Sequence, residues 1–326
     1  MPGERIYRSH YSFKSRLAAK LLPRTGGKGY QFFGHALNAF YRRRLFRRVL
    51  EVPNPLVLVG GDRFGGSGKT PIAQYIATYL AYHRPVTLVV RPTSGRRFQG
   101  VIQSTDDANA VGDECVMLYQ QRVQGLEILA VSDFQEVPRL SQEGNVLVLD
   151  DGLRSGLYGD RCLRIMLTDG GRSVGPYRHS YKDIHGIGMV WMHRSDPPTA
   201  VLNGIDMVTA YSPELLINVD GESKSVEWLM GRKVIIAAGI GNPEPFIEMI
   251  LNTHAEVQAV YIFADHEHFD FSKLSPSGCV VVTTEKDLYR MRTIERASVY
   301  ALRVKLEFIK GAQTIRSCLK SIILDE

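Results

Sequence analysis

The sequence predicts an α/β protein: a mostly parallel sheet with helices on both faces, a second and smaller α/β domain, and a basic amphipathic helical arm ahead of them. Three observations carry that prediction. Short apolar runs alternate with helical patterns from residue 55 to about 190, the same alternation resumes beyond residue 212, and residues 1–50 hold twelve Lys or Arg against one acid, Glu4. Strands that are apolar throughout, without a polar alternate face, are buried on both sides, as in parallel sheets. With 326 residues, 44% of them apolar and 23% charged, the chain has globular composition and length for two ordinary domains.

The arm comes first. Phe33, Leu37, Phe40, Tyr41, Leu45 and Val49 recur at helical spacing, while Arg42, Arg43, Arg44, Arg47 and Arg48 mostly take the other face. Two uses fit this pattern: a helix packed on the body with a solvated basic face, or an anchor on an anionic membrane surface, where each basic residue contributes about 1 kcal/mol. No nucleic-acid motif accompanies the basic residues, so no nucleic acid is expected as partner. The arm's charge exceeds the chain's net +6, which leaves residues 51–326 mildly acidic. No stretch reaches the roughly 18 apolar residues of a membrane span, and the N-terminus lacks the pattern of a signal peptide, so neither export nor crossing is expected. Cys115, Cys162, Cys279 and Cys318 are far apart and form no C-x-x-C pair. That usage fits a reducing compartment and not a metal–thiolate site.

Residues 51–205 read as the first domain, with strands over 56–59, 86–90, 126–131, 146–149 and 163–167 and helices over 70–82 and 113–121. The pattern loosens around 195–212, which reads as a linker. Residues 206–326 then form the smaller domain, with strands over 234–238, 257–262, 280–283 and 299–304, and helices from 243, near 288 and over 313–324. Ligands of such sheets sit at the carboxyl ends of the strands.

The most specific motif is "LVLVGGDRFGGSGKTP". A buried strand runs into Gly65, Gly66, Ser67, Gly68, Lys69 and Thr70 and opens into a helix, which is the context of a P-loop nucleotide site. Glycines let backbone N–H groups close on phosphate oxygens, the helix N-terminus adds partial positive charge, Lys69 reaches the β- and γ-phosphates, and the Thr70 hydroxyl ligates Mg²⁺. Arg63 stands where the full pattern has a glycine, so the cradle is a variant. The expected ligands are ATP and Mg²⁺. "NVLVLDDGL" supplies the acid such a site needs: four apolar residues deliver Asp150 and Asp151 to a strand end, where adjacent carboxylates call for a cation.

Taken in order, "FGGSGKTP", "VVRPTSGRR", "VGDE", "LDDGL", "GPYRH", "AAGIGNPEPF", "FADHEHF" and "TTEKD" resemble the tetraacyldisaccharide 4′-kinase family, P-loop kinases of lipid A biosynthesis. The resemblance covers most of the chain. It implies two α/β domains with the active site in the cleft between them, and a basic N-terminal helix at the cytoplasmic face of the bacterial inner membrane, peripheral or monotopic. It also implies transfer of the ATP γ-phosphoryl group to the 4′-hydroxyl of a tetraacyl glucosamine disaccharide-1-phosphate, the lipid A precursor. By the same resemblance Asp113 in "VGDE" is the catalytic base and His266 in "FADHEHF" the histidine paired with it. Arg91 and Arg178 match phosphate or acceptor contacts.

Each of these residues also has a plainer reading. Asp113 follows Gly112 and precedes an apolar helical pattern, so it suits a helix start; His266 suits a loop histidine bonded locally; Arg91 suits a surface cation. Glu285 and Lys286 read as an ion pair. Four places depart from the family pattern: Arg154 and Ser155 stand where it has Gln-His, His179 replaces an acid after Arg178, Glu267 replaces a second histidine with His268 one step on, and Pro92-Thr93 replaces Gly-Tyr. Two other readings therefore stay open: a weakened homologue that binds nucleotide as a membrane scaffold, and a P-loop ATPase with water as acceptor.

Overall fold

A computed structural model describes residues 5–8, 49–61, 68–92, 98–106, 108–168, 186–193, 204–263, 278–288 and 298–324. The chain opens with β1 (Arg5–Arg8) and β2 (Leu50–Glu51), followed by β3 (Leu56–Gly61), α1 (Lys69–Ala81), β4 (Val86–Val90), β5 (Gly100–Val101), α2 (Ala108–Val111) and α3 (Asp113–Gln120). Next come β6 (Leu126–Ala130), α4 (Val137–Leu140), β7 (Val146–Leu149), β8 (Leu157–Tyr158), β9 (Cys162–Thr168) and β10 (Met189–His193). The remainder is β11 (Met207–Ile217), β12 (Ser223–Lys224), β13 (Lys233–Ala238), α5 (Glu244–Leu251), β14 (Glu256–Ile262), β15 (Val280–Thr284), α6 (Glu285–Leu288), β16 (Val299–Lys310) and α7 (Ala312–Ile323). Two compact units result: Thr25–Ala210 with Leu306–Glu326, and Met1–Arg24 with Tyr211–Lys305.

In the first unit the strands lie in the order β5-β6-β4-β7-β3-β9-β10. All neighbours are parallel except the short edge strand β5, which is antiparallel to β6. Alternate residues of β3 explain why its sequence is apolar throughout. Val57 and Val59 face the core that α1 completes with Ile72, Ala73, Ile76, Ala77 and Leu80, whereas Leu56 and Leu58 face a second core with Phe134 and Val137. Period-two alternation with apolar cover on each face leaves no solvated side. The C-terminal α7 belongs to this unit too, with Ile315, Leu319 and Ile322 packed into the core of α1. Phe308 at the end of β16 meets Tyr75 of α1 at 5.2 Å and Trp191 of β10 at 5.7 Å between ring centroids.

The second unit holds β1-β14-β13-β15-β16 in that order, and β1–β14, β14–β13, β13–β15 and β15–β16 are each parallel. Helix α5 buries Phe246 and Ile250 against β13, β14 and β15. β11 and β12 add an antiparallel turn, Leu216 opposite Lys224.

The boundaries differ from those expected at residues 50 and 205. Arg5–Arg8 is a strand that pairs with β14, so the basic N-terminal segment is not helical throughout; Ile6 and Tyr7 suit a strand, and their backbone covers an edge that β14 would otherwise leave open. Part of the linker expected over 195–212 is the start of β11, an 11-residue strand that crosses from one unit into the other. β16 likewise runs past the expected end at 304, to Lys310, and crosses back, carrying α7 into the first unit. Among the described residues no helix is long and apolar enough to cross a membrane.

Candidate functional site

The site assembles at the carboxyl end of β3. Fully buried on both faces, β3 delivers the chain to residue 61, and Gly68 caps α1 in the left-handed conformation, φ 72° and ψ 17°. That turn suits glycine, since left-handed backbone costs other residues roughly 1–2 kcal/mol. Space demands it as well: a Cβ on Gly68 would lie 2.6 Å from Cδ2 of His193. The Ile72 N–H donates to the Gly68 carbonyl at 3.2 Å and closes the first turn. Lys69 and Thr70 thus stand in the first turn of α1, which contains no acidic residue.

The second component comes from β7. It pairs directly with β3, Leu149 opposite Leu58, so Asp150 leaves the sheet beside the loop. The Thr70 hydroxyl donates to Asp150 Oδ2 at 2.5 Å, and the Asp150 N–H donates to the Val89 carbonyl at 2.9 Å. Asp150 is only 8% exposed, and its Oδ1 has no hydrogen-bond partner. Burial, reinforced by the charges of Glu114 and Asp151, pushes its carboxyl up from the ordinary 3.8 to about 7 against the opposing pull of Thr70 and Lys69. A buried carboxylate short of donors is a costly arrangement that a cation relieves. Asp151, next along, adopts φ 57° and turns the chain into Gly152–Arg154.

The influence of Glu114 locates the third component. Glu114 is the second residue of α3, so that helix starts close enough to Asp150 for the Glu114 charge to act on it. Sequence reading had no use for Glu114; its place beside Asp113 in "VGDE" was the available signal. Arg91 lies just beyond β4, exposed, with its guanidinium over the Phe134 ring at 4.4 Å from the centroid. Stacking holds that cation at the carboxyl end of the same sheet's strands.

One departure from the family pattern acquires a local explanation. Ser155 is fully buried, its Oγ accepts the Leu157 N–H at 3.1 Å, and its carbonyl accepts from Gln135 Nε2 at 2.8 Å. The side chain is engaged in shaping the turn into β8. In "TTEKD" the ion pair of Glu285 is with Arg303, at 2.8 Å, and not with Lys286 as its neighbour in sequence suggested. Adjacent residues of a helix point apart, whereas β16 lies beside β15 and presents Arg303 to the start of α6.

His193 is the other residue that sequence reading missed. It ends β10, against Gly68, and its Nδ1 lies 3.0 Å from the Thr209 hydroxyl oxygen, which also accepts from Trp191 Nε1 at 2.8 Å. Burial pushes its imidazole down from 6.5 to about 4, so it is neutral at physiological pH. Gly65, Gly66, Ser67, Arg178 and His266 lie outside the described residues, as do His179, Glu267 and His268. Among the described residues no cluster of three or more His, Cys, Asp or Glu side chains could hold a metal ion. Mg²⁺ does not require one, since it keeps several waters and uses one or two carboxylates.

Comparison with known proteins gives one consistent answer. The family model described as Tetraacyldisaccharide-1-P 4′-kinase matches residues 24–323. The tetraacyldisaccharide 4′-kinase of Nitrobacter winogradskyi is 28% identical over 90% of this chain and 91% of its own length. That of Methylorubrum extorquens is 29% identical over 81% and 85%. Among solved structures, LpxK from Aquifex aeolicus, crystallised in complex with ATP, shares the fold with a TM-score of 0.68 and 24% identity, covering 94% of this chain and all of that one. With the match spanning nearly its whole length, and the phosphate-loop motif and strand-end acids in register with the fold, this chain belongs to the tetraacyldisaccharide-1-P 4′-kinase family.

Proposed function

We propose that this chain carries out the reaction for which its family is named, transferring the γ-phosphoryl group of ATP to the 4′-hydroxyl of a tetraacyl glucosamine disaccharide-1-phosphate in lipid A biosynthesis. The observation that carries the reading is the Thr70–Asp150 pair beneath the start of α1, with Asp150 Oδ1 unpartnered. Those oxygens fit Mg²⁺: a hydroxyl from the loop, a buried carboxylate with an open oxygen, and a second carboxylate, Asp151, adjacent. Bound there with ATP, Mg²⁺ neutralises charge on the β- and γ-phosphates.

The chain's own residues supply the rest. Gly65, Gly66, Ser67 and Gly68 offer backbone N–H groups to phosphate oxygens, and Lys69 places an ammonium on the β- and γ-phosphates. Arg91, held over Phe134, and Arg178 are the proposed contacts for phosphate or for the anionic acceptor. The acceptor's hydroxyl oxygen forms the new bond to the γ-phosphorus as the bond to ADP breaks, and the hydroxyl proton passes to the Asp113 carboxylate. His266 keeps the supporting role that the family resemblance implies. A positioned base is typically worth about 10² to 10⁴ in rate.

The test is incubation of the purified protein with Mg-ATP and tetraacyl disaccharide-1-phosphate, read by mass spectrometry of the lipid. A bisphosphorylated lipid that Asp113→Asn reduces at least a hundredfold is the expected result, in line with the worth of a positioned base. ADP formation without lipid product would overturn it in favour of water as acceptor.

We further propose that the basic N-terminal segment brings this site to an anionic membrane surface, the cytoplasmic face of the inner membrane. The support is the helical spacing of Phe33, Leu37, Phe40, Leu45 and Val49 against Arg42, Arg43, Arg44, Arg47 and Arg48. Flotation with anionic liposomes should be strongest at low salt and should weaken when those five arginines are changed to glutamate. Equal flotation by that variant would rule the arginines out as the anchor.

A further inference from the structure

We infer that His193 is a positioning residue for the nucleotide loop: its ring, oriented by Thr209, forms the floor on which Gly68 rests and fixes the turn that aims the first amides of α1 at the phosphates. This rests on the reading of residues 65–70 as the ATP cradle.

Four observations support it. His193 and Thr209 are Cα partners in the β10–β11 register, so adjacent strands fix their separation without help from any loop. Below them Trp191, wholly buried, donates its indole N–H to Thr209 Oγ1 at 2.8 Å and anchors that hydroxyl in the core. Above them the imidazole occupies the volume a Gly68 side chain would need, with Cδ2, Cγ and Nε2 at 2.6, 3.2 and 3.4 Å from the position of a Cβ. Gly68 is, finally, the residue whose left-handed φ starts α1 one position before Lys69.

The hydrogen-bond inventory fixes the ring further. An indole N–H can only donate, so Trp191 occupies one lone pair of Thr209 Oγ1, and the same hydroxyl, 3.0 Å from His193 Nδ1, ties the imidazole to the buried indole. The stack Trp191, Thr209, His193, Gly68 therefore runs from the buried core to the phosphate loop as one chain of contacts. A neutral ring suits that place: it sets shape and orientation beneath the loop and leaves the charge on the phosphates to Lys69. Nothing about the apolar run "MVWMH" advertises this role in sequence, because Thr209 is 16 residues away and Gly68 lies 125 residues upstream.

The experiment measures Mg-ATP affinity by calorimetry, KM for each substrate, kcat and Tm in His193→Ala, His193→Asn, Thr209→Val, the double variant His193→Ala/Thr209→Val, and Lys69→Ala as reference. His193→Ala should weaken Mg-ATP binding about five- to tenfold, the scale of one anchoring hydrogen bond, with KM for the disaccharide unchanged. His193→Asn can still hydrogen-bond to Thr209 but leaves the space under Gly68 open, so its loss should be intermediate; as the gentler change it also decides the question if His193→Ala does not fold. Thr209→Val should show part of the same loss, and the double variant no more than His193→Ala alone, because both act through one ring. A lowered Tm with unchanged Mg-ATP affinity in His193→Ala or His193→Asn would overturn the inference and leave His193 as packing. If Lys69→Ala also leaves Mg-ATP affinity unchanged, the cradle reading itself fails; if only the His193 variants are silent, the inference alone fails.

Discussion

Two buried aspartates at strand ends, one in each unit, have opposite fates. Asp287, just past β15, is fully buried, and its Oδ2 accepts both the Gly239 N–H at 2.9 Å and the Thr284 hydroxyl at 2.7 Å. Asp150, just past β7, has a single side-chain donor among the described residues, Thr70, and an Oδ1 left open. A buried carboxylate with backbone and hydroxyl donors behaves as a structural clasp, here joining the "AAGIG" turn to "TTEKD". One left short of donors stores unfavourable free energy that only a proton or a cation releases. The difference separates a residue that holds a loop in place from one that waits for a ligand, although each reads in sequence as an acid after an apolar strand.

The contrast breaks most visibly under substitution. Asp150→Asn removes the carboxylate proposed for Mg²⁺, a contact worth several kcal/mol in the transition state, so turnover should fall by at least about 10²-fold. Its Tm should hold or rise, because the buried charge disappears with it. Asp287→Ala should do the reverse in stability, leaving the Gly239 N–H and Thr284 hydroxyl without that acceptor at a cost of about 1–3 kcal/mol. Measured together, kcat and Tm should move in different directions for the two sites; parallel losses in both would erase the distinction.

Proton linkage sharpens the same point. With its carboxyl raised from 3.8 to about 7, Asp150 keeps its proton in the native protein over a range where the unfolded chain has lost it. The native state then binds more protons than the unfolded one, so this group's contribution to stability is full below about pH 4, falls as pH rises toward 7, and is flat above. A cation competes with that proton for the same oxygens. The rise in Tm on adding Mg²⁺ should therefore be larger at pH 8 than at pH 5.5, and Asp150→Asn should flatten both trends. An Mg²⁺ effect independent of pH would place the cation elsewhere.

How much of this was readable beforehand follows from where the determinants lie along the chain. The proposed cradle at 65–70 and the proposed cation ligands at 150–151 are contiguous motifs, and the strands and helix that flank them, β3, α1 and β7, have local patterns that spacing and composition show. Strands β3 and β7 were legible because burial on both faces makes them apolar throughout, and β4, β6 and β9 because a single Thr87, Glu127 or Arg164 leaves the rest of the run apolar. What remained hidden depends on pairings between distant segments. The Trp191–Thr209–His193 stack forms only because β10 and β11 align, α7 joins the core of α1 only because β16 carries it there, and β1 looks like part of a basic arm until β14 offers it an edge. The strand-end position of Asp150 was readable, but its unpartnered Oδ1 was not: an unsatisfied oxygen is a property of packing and leaves no mark in sequence.

The smallest expected effect concerns the second unit's ion pair. Arg303 Nη2 and Nε meet Glu285 Oε1 at 2.8 and 3.0 Å, with the two side chains 32% and 13% exposed, so the pair is neither free in water nor sealed from it. Partly solvated pairs are worth up to about 1 kcal/mol, less than the clasp that Asp287 makes two residues on. Glu285 opens α6, where a negative charge also suits the helix dipole, so the carboxylate keeps one favourable interaction when Arg303 is lost. Arg303→Met should accordingly lower stability by less than about 1 kcal/mol, and most of that loss should disappear in high salt. A loss as large as that of Asp287→Ala would mean that β16 depends on the ion pair for its place beside β15, and that the structural unit has a second clasp.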